Sequence, residues 1–128
     1  MTREQNRANF VYKRIEKYKN DETLRKDYGS MAHRFPALLR NAGLVQALAF
    51  VKSRSNKAHK KFIYDLTSVL YELEGVQKSG EEAFDEYFKQ ARKAELPQYM
   101  RLTREALAVS DWFKRFAQSV LKVEPGGD

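Results

Sequence analysis

A chain of 128 residues with no cysteine and 24 Lys and Arg against 17 Asp and Glu, net +7, is long enough to fold as one domain, burying roughly two thirds of the surface of its unfolded form. Without thiols there is no disulfide framework, thiolate nucleophile or cysteine zinc site. The charged opening MTREQNRANF and the absence of an apolar run of bilayer length predict a soluble, cytoplasmic protein with no membrane partner.

Only three Pro and six Gly interrupt the chain, and its apolar residues recur with helical period. Thr2 and Gln5 have the capping-box form, and Ala8, Val11, Ile15 and Tyr18 follow, predicting a first helix over about 3–19. After a turn at Asn20 and Asp21, Leu24, Tyr28, Met31, Phe35, Leu38 and Ala42 carry a second helix up to Gly43, with Pro36 expected to kink it or split it near Ser30. Gly43 suits a left-handed position after that helix, and Leu44, Ala47, Leu48 and Val51 form the inner face of a short third helix. Phe62, Leu66, Val69 and Leu73 give a fourth, ending at Gly75. Ser79 and Glu82 have capping-box form before a fifth helix around Phe84, Tyr87, Phe88 and Ala91. Pro97 suits the first position of a last helix whose seam runs through Tyr99, Leu102, Ala106, Val109, Phe113, Phe116 and Val120. The prediction is an all-α, compact single-domain bundle of five to six helices over 1–122, with 123–128 as a flexible C-terminal tail.

Charge is segregated along this frame. Residues 28–64 hold seven Lys and Arg and no carboxylate, whereas 65–95 hold four against eight. Catalytic groups are few. His33 and His59, the only histidines, sit beside Arg34 and Lys60 without a shared motif, which favours solvated or RNA-facing rings over an acid-base pair. Glu81, Glu82, Asp85 and Glu86 follow a predicted helix start, where acids favour the dipole, more readily than they hold a metal. No P-loop, GxGxxG, HExxH or nucleophile elbow occurs. The sequence therefore predicts a binding protein, with no catalytic residue, metal site or cofactor.

The acid-free stretch places Arg34, Arg40, Lys52, Arg54, Lys57, Lys60 and Lys61 as candidates for phosphate contact, because a merely solvated face usually mixes signs. On the last helix, Arg101, Arg104, Arg115 and Lys122 project opposite the apolar seam with Trp112 among them. Trp112 suits base stacking, a protein hot spot, or simple cover by a neighbouring helix. The acidic and basic regions also permit head-to-tail association of copies.

Two segments, YGSMAHRFPALLRNAGLVQALAFV at 28–51 and YMRLTREALAVSDWFKRFAQSVL at 99–121, together resemble the small helical subunit of the type III-B CRISPR effector, the Cmr RNA-guided RNA-targeting complex. QNRANFVYKRIEK is similar to that family's first helix. Tyr28, Pro36, Asn41, Gly43, Leu44, Gln46, Ala47 and Phe50 carry the first match, and Arg104, Glu105, Ala106, Leu107, Trp112, Lys114 and Arg115 the second; 53–95 matches nothing distinctive. The resemblance implies a non-catalytic protein of antiviral defence, present in several copies along the guide-RNA filament and helping to form a basic groove for target RNA. Its implied partners are other Cmr subunits, guide and target RNA, and further copies of itself. Gln46 is expected to fix the Gly43 corner by hydrogen bonding, and Trp112, Gln46 and Lys114 to meet protein. Two other readings stand beside this one. The first is a helix-turn-helix DNA-binding protein with 36–42, Gly43 and 44–53 as its parts, although Val45, Gln46, Ala49 and Lys52 are a poor set for reading bases. The second is a purely structural helical adaptor.

Overall fold

The computed structural model describes residues 1–126. Six helices follow in order: α1 (Arg3–Ile15), α2 (Arg25–Ala42), α3 (Leu44–Ser53), α4 (Lys57–Leu73), α5 (Gly80–Lys93) and α6 (Leu96–Ser119), and no strand occurs among the described residues. Thr2 caps α1 as predicted: its hydroxyl accepts from the Gln5 amide at 3.1 Å and its own amide donates to the Gln5 side chain at 2.8 Å. The α-helix stops at Ile15 and tightens into a 3₁₀ turn, Glu16–Tyr18. Asp21 Oδ1 then accepts from the Thr23 and Leu24 amides, which turns the chain into α2.

Helix α2 is continuous, not split at Ser30, and carries Pro36 in its interior. Burial of Tyr28, Met31, Phe35, Pro36 and Leu39 on the bundle outweighs the lost amide. At Gly43 the backbone takes φ 89° and ψ 164°, a conformation that only glycine adopts freely and that lets α3 begin at once. Leu44, Ala47, Leu48 and Val51 point inward on α3 as expected. Ser79 precedes α5, but its side chain makes no capping hydrogen bond, so the second predicted capping box does not form. Pro97 occupies the first turn of α6, after Leu96.

Helix α4 lies at the centre, against α1, α2, α3, α5 and α6. Its Phe62 ring meets Tyr28 and Phe35 of α2 and Phe113 of α6 edge-on, at 5.7, 5.5 and 5.3 Å. Thr67 and Ser68, buried on the same helix, return their hydroxyls to the carbonyls of Ile63 and Tyr64, so neither donor is orphaned.

The predicted tail begins too early. Val123 is buried, its amide donates to the Ala117 carbonyl, and its carbonyl lies 2.6 Å from His33 Nε2. Arg25 donates to the Leu121 carbonyl at 2.6 Å. Residues 124–126 are exposed, and the last two residues of the expected tail lie outside the described residues. Gly29 is what admits this segment: a Cβ there would stand 2.7 Å from the Val123 side chain. The expected result of Gly29→Ala is a loss of ~1–3 kcal/mol, read as a lower urea midpoint with unchanged slope. An unchanged midpoint would mean that Val123 does not seat on α2.

Candidate interaction surfaces

Folding mixes charges that the sequence keeps apart. Because α5 packs on α4 and α3, its acidic first turn reaches the basic third. Lys52 Nζ lies 2.7 Å from Glu81 and 3.9 Å from Asp85, above the rings of Phe84 and Tyr64. Partial burial works against the Lys52 charge, but the Glu81 hydrogen bond and the neighbouring Tyr64, Glu81 and Asp85 outweigh it and raise its pKa. That same hydrogen bond holds the Glu81 carboxyl below its ordinary value, with the Lys60 charge adding to it. Arg40 Nη2 stands 3.8 Å from Asp111 of α6. Lys57 acts on Asp21, whose pKa is lowered first by the Thr23 hydroxyl and then by its backbone contacts.

Of the other candidates, Arg54, Lys57, Lys60 and Lys61 lie at the start of α4 or against it. Asn56 caps that helix, accepting from the Ala58 and His59 amides at 2.8 and 3.1 Å, and its amide nitrogen donates to Asp27 of α2. Exposed Arg34 lies two turns beyond Asp27 on the same side of α2. Lys57, Lys60 and Lys61 occupy the opening of α4, whose first turn carries no acid. Cations there oppose the helix dipole, so this arrangement costs stability unless an anion offsets it.

Neither histidine is solvated, contrary to expectation. His33 and His59 are 8% and 5% exposed. The His33 Nε2 proton is engaged by the Val123 carbonyl, while buried Nδ1 finds no partner among the described residues. His59 Nδ1 accepts from Arg54 Nε at 2.8 Å, and the Arg54 guanidinium also covers the Phe50 ring. The two rings thus hold the C-terminal segment and the α3–α4 corner. Gln46 does not fix the Gly43 corner: it is exposed, and the Tyr99 hydroxyl accepts from the Val45 amide instead, at 3.0 Å.

Trp112 is half-buried and has a core to join. Its ring packs on the core 5.5 Å from Phe116, which in turn meets Tyr12 of α1 at 5.6 Å, and Arg115 stacks on it at 5.0 Å. Lys114 is exposed nearby. Arg101 and Arg104 part from Arg115 and border a groove between α5 and α6 instead.

Glu105, read in the sequence only as part of the second matching segment, and Asp65, not singled out there, organise the interior edges. Glu105 accepts from Arg7 at 2.7 and 2.9 Å and from Arg3 at 3.3 Å, while Arg3 also reaches Glu74 at 2.8 Å. The Arg7 hydrogen bonds lead in holding the Glu105 pKa below its usual value, against partial burial. The i, i+4 spacing of Arg3 and Arg7 was the available signal. Asp65 of α4 accepts from Tyr28 and Tyr18 at 2.7 and 3.3 Å, with Arg14 at 3.9 Å. Burial pushes its pKa up despite those partners.

Among the described residues no group of three His, Asp or Glu side chains could hold a metal, and no helix is long and apolar enough to cross a membrane. The fold and these surfaces define the class: a small all-α protein with charged and apolar edges at its surface. The family described as "CRISPR-associated protein (Cas_Cmr5)" matches residues 3–120, and the chain belongs to that family. It is 45% identical over 121 residues to the "CRISPR system Cmr subunit Cmr5" of Thermus thermophilus, covering 94% of this chain and 97% of the relative. It is also similar to the crystal structure of a CRISPR-associated Cmr5 family protein from Thermus thermophilus. That match has a TM-score of 0.83 and 44% identity, over 94% of this chain and 98% of the other.

Glu105 gives the pH test. Its lowered pKa contributes stability that is present above the unfolded value, about 4.3, and is lost as pH falls through the lower folded value. Glu105→Gln is expected to be less stable than the parent by ~1–2 kcal/mol at pH 7, with the gap closing in acid. A gap independent of pH would show that the charge is not what holds α1 to α6.

Proposed function

We propose that this chain is the non-catalytic small subunit of a type III-B CRISPR (Cmr) RNA-targeting complex, acting in antiviral defence. In this reading several copies stack along the guide-RNA filament in the cytoplasm, meet other Cmr subunits, and help to form a basic groove for target RNA. Cleavage belongs to other subunits. Family membership and the name of the Thermus relative support the assembly.

The observation that carries the RNA contact is the run of Lys57, Lys60 and Lys61 at the start of α4, where the helix dipole disfavours cations and the first turn has no acid. A phosphate backbone would relieve that cost. Arg54, bonded to His59 of the same helix start, extends that side, and Arg34, exposed on α2, is a further candidate. Lys52 and Arg40 are secondary candidates because each already faces a carboxylate, and Arg115 is one because it stacks on Trp112. The ion pairs of Lys52 and Arg40 favour the second reading, a structural adaptor without RNA contact. A DNA-reading helix-turn-helix gains nothing: the outer side of α3 offers Gln46, Ala49 and Phe50.

In affinity purification from the native host, an RNA-guided assembly with repeat-derived guides is expected to accompany the chain. For reconstituted complex, Lys57→Ala, Lys60→Ala and Lys61→Ala are expected to reduce the salt slope of single-stranded target RNA binding by roughly 0.7 for each phosphate that is no longer neutralised. Unchanged slopes would leave the adaptor.

A further inference from the structure

Helices α5 and α6 both pack on α4 and touch each other where the Tyr87 hydroxyl donates to the Leu102 carbonyl at 3.5 Å. Between them opens a groove of about 750 Å³, floored by Leu70, Tyr71, Tyr87 and Leu102. Val76, 39% exposed, forms an apolar lip. The carboxylates on its wall are already balanced: Glu105 by Arg7 and Arg3, and Glu74 by Arg3. Arg101 and Arg104 stand exposed at the border, and neither has a carboxylate within ion-pair distance among the described residues; Arg101 donates to Gln98 alone.

We propose that this groove docks a segment of another protein, which inserts a large aliphatic or aromatic side chain between α5 and α6 and sets a carboxylate against Arg101 and Arg104. The inference rests on the reading of the chain as a subunit of an assembly. An apolar floor beside two guanidinium groups that no carboxylate answers is the arrangement in which a few residues dominate protein association. A nucleic-acid base fits it less well. The floor rings Tyr71 and Tyr87 stand edge-on to each other at 86°, Tyr87 is 3% exposed, and the Lys78 ammonium lies over Tyr71, so no open aromatic face is offered for stacking. Of the polar groups around the floor, the Tyr87 hydroxyl is engaged by Leu102 and the Gln98 side-chain carbonyl by Arg101, while Gln90 stands exposed at the edge.

The test uses Cmr complex reconstituted on guide RNA with the full-length chain. Arg101→Glu with Arg104→Glu is expected to weaken incorporation at least tenfold, with helical circular dichroism and melting temperature unchanged because both side chains are exposed. A photocrosslinking p-benzoylphenylalanine in place of Val76 is expected to join a different subunit, at a peptide with Asp or Glu next to a large apolar residue. Undiminished incorporation of the double variant would overturn the inference. So would a crosslink to RNA or to another copy of this chain, or no crosslink in an assembly that contains it. Failure of the unsubstituted chain to enter the complex would overturn the subunit reading itself and the docking inference with it. That outcome is told apart because it precedes any substitution.

Discussion

The bundle depends on α4 being packed by all five other helices, and α4 on Phe62. One ring receives edges from two rings of α2 and one of α6, and such edge-to-face contacts fix orientation as well as burying area. With that centre set, α2 and α6 must run along the same side of α4. This brings Gly43 near Tyr99 at one end and Gly29 under Val123 at the other. The Gly43 corner and the seating of the C-terminal segment are thus two ends of one packing solution. Helix α5, held by Phe84 and Tyr87, is left to lie on α4 and α3 rather than on α6.

The helices and their inner faces were legible because periodicity reports burial directly. The α3 face, the Thr2 cap and the start of α6 follow from spacing alone. Less legible were features decided by tertiary contacts. Pro36 read as kinking α2 or splitting it near Ser30, yet with most of the helix from Tyr28 to Leu39 buried the helix runs on unbroken. Ser79 and Glu82 had the right spacing, but the cap did not form. His33 and His59 looked solvated beside cations, and no local rule says that one would hold a carbonyl from residue 123 and the other an arginine across a corner.

The candidate site was legible in its residues and not in its grouping. A stretch without carboxylates in the chain need not be without them in space, because helix packing delivers acids from elsewhere: Glu81 and Asp85 to Lys52, Asp111 to Arg40. Likewise, Arg101, Arg104 and Arg115 share one outer side of α6, but only Arg115 lies with Trp112, while the other two border the gap left by α5. Trp112 needed Phe116 beside it to be understood, and the pairing of α1 with α6 that brings Tyr12 onto Phe116 is a long-range contact.

The charged residues therefore divide by whether a carboxylate answers them. Arg3, Arg7 and Arg14 are bound to Glu105, Glu74, Asp65 and Glu72, and they tie α1 onto α4 and α6; their charge is already engaged in the fold. Lys52 does the same for α5 against α3. Among the described residues without a carboxylate at ion-pair distance are Arg34 and the lysines opening α4, where Asp21 and Glu81 feel the charges of Lys57 and Lys60 only from farther off, and Arg101 and Arg104 beside the groove. An ion pair made at the surface contributes little to stability, so nothing in folding alone calls for cations at these two places. At α4 they even oppose the dipole. Charges that the fold neither needs nor neutralises are the ones available to partners. Because the two groups stand beside different surroundings, a helix start in one case and an apolar groove in the other, they suit partners of different chemistry.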